Sequence, residues 1–81
     1  MFRLVFTSSA TSEFDPVRFP ELRAMGLNKN IRKDVKSSLM FIEGFFVEAM
    51  EGDEKTVRAV FASIKLSKLH HNIKVISEEH F

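Results

Sequence analysis

The stretch Val35 to Gly52, VKSSLMFIEGFFVEAMEG, limits the possible folds more than any other part of the chain. Two short apolar runs, Leu39 to Ile42 and Phe45 to Met50, flank the dipeptide Glu43-Gly44. Runs this short, split by a glycine-containing pair, read as two strands of a tight hairpin, because glycine takes the positive φ such a turn needs. Alternation along the second strand puts Phe45, Val47 and Ala49 on one face and Phe46, Glu48 and Met50 on the other. Both faces are apolar except at Glu48, so the strand reads as a central one carrying a carboxylate where a hydrophobe belongs. An unpaired buried charge is costly. Glu48 is therefore the first candidate for function. It also reads as a rim carboxylate paired with Lys36 or Arg3, and the residues alone leave both readings open.

The hairpin fixes how the rest is read. Phe2 to Thr7 alternates Phe2, Leu4 and Phe6 against Arg3, Val5 and Thr7, a strand pattern. A polar loop from Ser8 to Asp15 follows. Asp15-Pro16 looks like a helix start, yet Pro20 would break a helix begun there. Either the first turn is irregular or the regular helix starts near Pro20. Phe19, Leu22, Met25 and Leu27 form its apolar side, Gly26 weakens it, and Asn28-Lys29-Asn30 ends it. A basic loop, Lys29 to Lys36, leads into the hairpin. Asp53 then caps a second helix, with Val57, Val60, Phe61 and Ile64 on one face. His70-His71-Asn72 closes that segment, and Ile73 to Ser77 forms a short fourth strand. The order β-α-β-β-α-β predicts an α+β, ferredoxin-like sandwich: one antiparallel sheet with two helices on one face.

Eighty-one residues make a single domain, 1–81, whose small core gains from a ligand or a partner. Without cysteine there is neither a disulfide framework nor a thiolate metal site. Adjacent His70 and His71 point in different directions and His80 is distant, so no metal is expected. The formal charge of +1 and the lack of aromatics in the basic loop favour a solvated surface over a nucleic-acid interface. No apolar run approaches a membrane span, and the N-terminus does not read as a signal peptide, which gives a cytoplasmic expectation. No nucleophile–base pair, carboxylate pair or glycine-rich phosphate loop is present, so the chain is not expected to be an enzyme. Phe45 and Val47, facing away from the helices, leave an apolar patch that predicts a protein partner or a homo-oligomer.

Several pieces together resemble the BLUF family of flavin-binding blue-light sensors: LVFTS (Leu4 to Ser8), Asn30 after the first helix, EG...F...EAMEG (Glu43 to Gly52), the following amphipathic helix, and KLHHNIKVIS (Lys68 to Ser77). They span almost the whole chain and keep their spacing. The resemblance implies an FAD ring held by a tyrosine on strand one, an asparagine pair after helix one and a glutamine on strand three. Those positions fall here on Phe6, on Lys29 and Asn30, and on Glu48. Asn30 alone matches. Phe6 has no hydroxyl and Glu48 no amide, so the resemblance implies a diverged sensory domain without the usual photocycle, acting through protein contacts. The family's fifth strand and C-terminal helices have no counterpart in this sequence. A ligand-free interaction or oligomerisation module of the same fold is the alternative. A carboxyl at Glu48, partly desolvated and so raised in pKa, would imitate a glutamine when protonated.

Overall fold

The computed structural model describes residues 1–81. Its elements are β1 (Phe2–Ala10), a 3₁₀ turn (Pro16–Arg18), α1 (Phe19–Ile31), β2 (Lys36–Ile42), β3 (Phe45–Gly52), α2 (Glu54–Lys65) and β4 (His70–His80). The strands form one sheet in the order β2-β3-β1-β4, with every neighbouring pair antiparallel. This is the ferredoxin-like arrangement, with β3 in the sheet interior as its two apolar faces require.

The turn between β2 and β3 is tighter than glycine alone explains. Both Glu43 (φ 50°) and Gly44 (φ 87°) are left-handed, and Ile42 pairs directly with Phe45. A two-residue turn with both φ positive matches the twist of the strands it joins. Glycine pays little for that conformation, whereas glutamate is strained in it.

The two prolines divide the first helical segment. The Asp15 carboxylate accepts from the Val17 N–H (3.0 Å), Pro16 opens the 3₁₀ turn, and α1 starts at Phe19. Pro20 then lies in the first helical turn, where its missing N–H would have had no intrahelical partner. α1 runs to Ile31, and the reversal after it is made by Asp34 (φ 58°), not by Asn30. The Lys33 and Val35 N–H groups both donate to the Asn30 carbonyl there (2.9 and 3.0 Å). The apolar side of α1 is narrower than expected. Phe19, Leu22 and Leu27 are half-buried but Met25 is exposed. The reason is position: α1 packs chiefly against edge strand β2, while α2 lies on central strands β1 and β3.

β1 and β4 both exceed their expected lengths. Ser8 and Ser9 stay in β1 because they pair with Phe46 and Phe45, and the Ala10 N–H donates to the Gly44 carbonyl (2.8 Å). β4 runs from His70 to His80 instead of Ile73 to Ser77. Its polar ends extend because β1 supplies their backbone partners and side chains meet theirs: Arg3–Glu79 and Arg58–Glu78 as ion pairs, and His80–Glu54 as a hydrogen bond. Propensity gave way to pairing.

The core comprises Phe2, Leu4, Phe6, Val35, Met50, Val57, Val60 and Phe61. It joins the inward face of β1 and β3 to the face of α2 predicted from its spacing. Asp53 caps α2 through the Thr56 N–H (3.3 Å). Gly52 sits in close approach to the chain before β2: a Cβ there would lie 3.1 Å from the Asp34 carbonyl oxygen, tighter than an ordinary contact. No helix is long and apolar enough to cross a membrane.

Candidate functional site

Between α1 and α2, over the inward face of the sheet, lies a cleft of about 240 Å³. Its floor is made by side chains that β-pairing sets beside one another. Phe6 on β1 and Leu39 on β2 are both register partners of Glu48 on β3, so these three form a row across the sheet. Phe46, two residues earlier on β3, extends the floor. One wall is α1, with Leu22, Gly26, Lys29 and Asn30, continued by Lys33 in the turn after it; the other is α2, with Val60, Ser63 and Ile64. A Cβ at Gly26 would meet nothing within 4 Å, so α1 leaves open space along this wall.

All four residues singled out in the sequence, Phe6, Lys29, Asn30 and Glu48, line this one cleft. Phe6 is buried, with its ring centroid 5.0 Å from that of Phe61. Asn30 is buried as well. Its Nδ2 donates to Ser37 Oγ (2.9 Å), while its Oδ1 accepts no hydrogen bond within the protein. Lys29 is exposed at the mouth.

Glu48 is the anomaly its sequence position suggested. It is 8% exposed and makes neither a hydrogen bond nor an ion pair with any protein group, its carboxyl oxygens keeping a narrow opening to solvent. The rim-carboxylate reading fails, because Arg3 is committed to Glu51 (2.7 Å) and Glu79 (3.5 Å), and Lys36 stands opposite Glu51 on the other face. Burial without a counter-charge pushes the Glu48 carboxyl from its ordinary 4.5 up to about 7.

His70 was not foreseen as part of this site. Read as a loop residue, it is the first residue of β4 and borders the cleft. Its Nδ1 lies 2.8 Å from Ser8 Oγ and its Nε2 lies 2.8 Å from the Ile64 carbonyl. A carbonyl only accepts, so Nε2 carries a hydrogen, and in the neutral ring Nδ1 accepts from the serine hydroxyl. His71 points away, opposite Ser9, as adjacent strand positions must. No local pattern marks the His70–Ser8 pair; the two are 62 residues apart and meet only through strand pairing. No group of three or more His, Cys, Asp or Glu side chains is placed to hold a metal ion.

The fold and the cleft define a class: a small α+β domain with a narrow, aromatic-floored cleft between two helices over an antiparallel sheet. The sequence matches the BLUF family, sensors of blue-light using FAD, over residues 1–81, and the chain belongs to that family. Solved structures share its fold. A bacterial light-regulated adenylyl cyclase superposes with a TM-score of 0.88 at 22% identity, over 100% of this chain and 23% of the cyclase. BlsA in its photo-activated state gives 0.89 at 18% identity, over 99% of this chain and 59% of BlsA. Klebsiella pneumoniae BlrP1, solved with FMN and cyclic diGMP, gives 0.88 at 20% identity, over 99% of this chain and 22% of BlrP1. This chain thus spans less than a quarter of the cyclase and of BlrP1. No curated protein matches it in sequence.

Proposed function

We propose that this chain is a BLUF sensory domain that accommodates a flavin ring but has lost the light-driven switch, and that it acts in the cytoplasm through contacts with another protein. The observation that carries this reading is the pairing of Phe6 with Glu48 on the cleft floor. These two positions match the family's tyrosine and glutamine. Phe6 has no hydroxyl to hydrogen-bond, and its ring is far harder to oxidise than a phenol. Glu48 has no amide to rearrange.

The cleft fits a flavin ring in shape and in part of its chemistry. Its volume falls below the roughly 300–1,000 Å³ of pockets that enclose a drug-sized ligand. It therefore takes a planar ring system and leaves a phosphate-bearing tail outside, on the side of Lys29 and Lys33. Phe6, Phe46, Leu22, Leu39, Val60 and Ile64 supply apolar surface to the ring. Asn30 Oδ1 is a free acceptor for an imide N–H, and Glu48 is a polar group without a protein partner. A bound flavin supplies blue-light absorption. The chain's own residues orient the ring and exclude water from its apolar part. The only aromatic side chains in the sequence are phenylalanines and histidines; with no tyrosine or tryptophan, the domain offers no ready aromatic electron donor.

Absorption spectroscopy tests this directly. The purified protein mixed with FMN or FAD is expected to give a bound flavin spectrum that does not shift to the red under blue light. The double variant Phe6→Tyr, Glu48→Gln is expected to acquire the shift. A light-induced shift in the unmodified chain would overturn the loss of the switch. A protein that retains no flavin would leave the ligand-free interaction module.

A further inference from the structure

Glu48 is the only acidic side chain lining the cleft, and its surroundings contain nothing to balance an ionised form. From β1 and β2 it faces Phe6 and Leu39. α2 lines the cleft with Val60, Ser63 and Ile64, none charged. From the last turn of α1 comes the cation Lys29, and from the turn that follows the helix comes Lys33; both line the same cleft but lie beyond the 4.0 Å of an ion pair with Glu48. From β4 comes His70, whose two ring nitrogens are occupied by Ser8 and the Ile64 carbonyl.

A protonated carboxyl presents one O–H donor and one carbonyl acceptor, which is the complement an amide would offer. Ionised, it presents acceptors only. It would then set negative charge against the carbonyl oxygen or ring nitrogen of an incoming heterocycle and lose its remaining water on contact. The two forms differ in donor count at a point where the ligand can reach no alternative donor on β1, β2 or α2 except the Ser63 hydroxyl.

We propose that Glu48 makes the cleft a proton-dependent binding site, which admits a neutral, planar heteroaromatic ring that presents an acceptor atom to Glu48 while the carboxyl holds its proton, and releases the ring when that proton is lost. The inference rests on the flavin reading above and deepens it, assigning Glu48 as the residue that determines when the ring is held. Burial favours the neutral carboxyl in the free protein, and a hydrogen bond from its O–H to the ring favours it further.

FMN is the probe. Its dissociation constant is measured by fluorescence polarisation between about pH 5.5 and 9 for the full chain and for Glu48→Gln. The expected wild-type constant is level on the acid side of neutrality and then rises toward about ten-fold per pH unit, the limit for one linked proton. Glu48→Gln keeps Asn30, Lys29, Lys33 and His70, and its constant is expected to lack the wild-type rise above neutrality. Superimposable profiles for the two proteins, or tighter wild-type binding as pH rises, would overturn the proton dependence while sparing the flavin reading. Binding by the variant but by the wild type at no pH would do the same. Failure of both folded proteins to bind FMN at any pH would remove the flavin reading and this inference together. Should the variant not fold by circular dichroism, infrared spectroscopy of the wild type decides: the carboxylic C=O band must vanish in step with FMN affinity, and affinity lost while the band persists overturns the proposal.

Discussion

At Glu48 one side chain sets a pH dependence for the whole fold. Its carboxyl titrates near 7 in the folded state and near 4.5 when exposed. Between those values the folded protein binds more protons than the unfolded chain, so stability falls as pH rises through the window. Below about 4.5 both states are protonated and above about 7 both are ionised, so neither limb adds slope. The loss across the window is on the order of 3 kcal/mol. Glu48→Gln removes the ionisation without changing the shape. Urea unfolding is expected to show the variant more stable at pH 8 by up to that amount, and near-equal stability at about pH 4.5. Equal stability at pH 8 would mean that Glu48 finds a counter-charge or water. The neighbouring choice at Phe6 has the opposite character: its ring fills core volume and adds no titrating or hydrogen-bonding group.

Among the elements, the β2–β3 turn is the place where sequence and geometry disagree. Glu43 sits at φ 50° with Gly44 at φ 87°, whereas the turn favours Asn-Gly or Asp-Gly. Glu43→Asn is expected to raise stability by about 0.5–1 kcal/mol, a gain of a few degrees in Tm measured by calorimetry. No gain would show that the glutamate side chain compensates for its backbone. The other irregular element, the entry to α1, shows the reverse: Asp15, Pro16 and Pro20 look incompatible with one helix and are compatible with a 3₁₀ turn followed by one. α1 also carries the cleft. With Asn30 as its sole buried residue, it packs on the sheet edge and faces open space at Gly26.

For the molecule as a whole, the face of the sheet away from the helices is the unfinished surface. Met40, Ile42 and Phe45 are each half or more exposed there, with the partly covered Val47 between them. Phe45→Asp is expected to leave the far-UV circular dichroism and Tm nearly unchanged, because the ring is 55% exposed. It is also expected to weaken association measured by sedimentation velocity, whether with a second copy or an added partner. Unchanged association in a folded variant would exclude this face as the contact.

The elements, their order and the central place of β3 were legible in the residues, since hydrophobic period, caps and turn glycine are local signals. The convergence of Phe6, Lys29, Asn30 and Glu48 was legible only through family likeness, because no local pattern links residues on three separate elements. What the chain alone determined is that a carboxylate stands on the interior strand. Only tertiary structure decided that no cation reaches it, that Ser8 meets His70, and that the polar ends of β4 become strand, because each depends on partners brought together by sheet register across tens of residues.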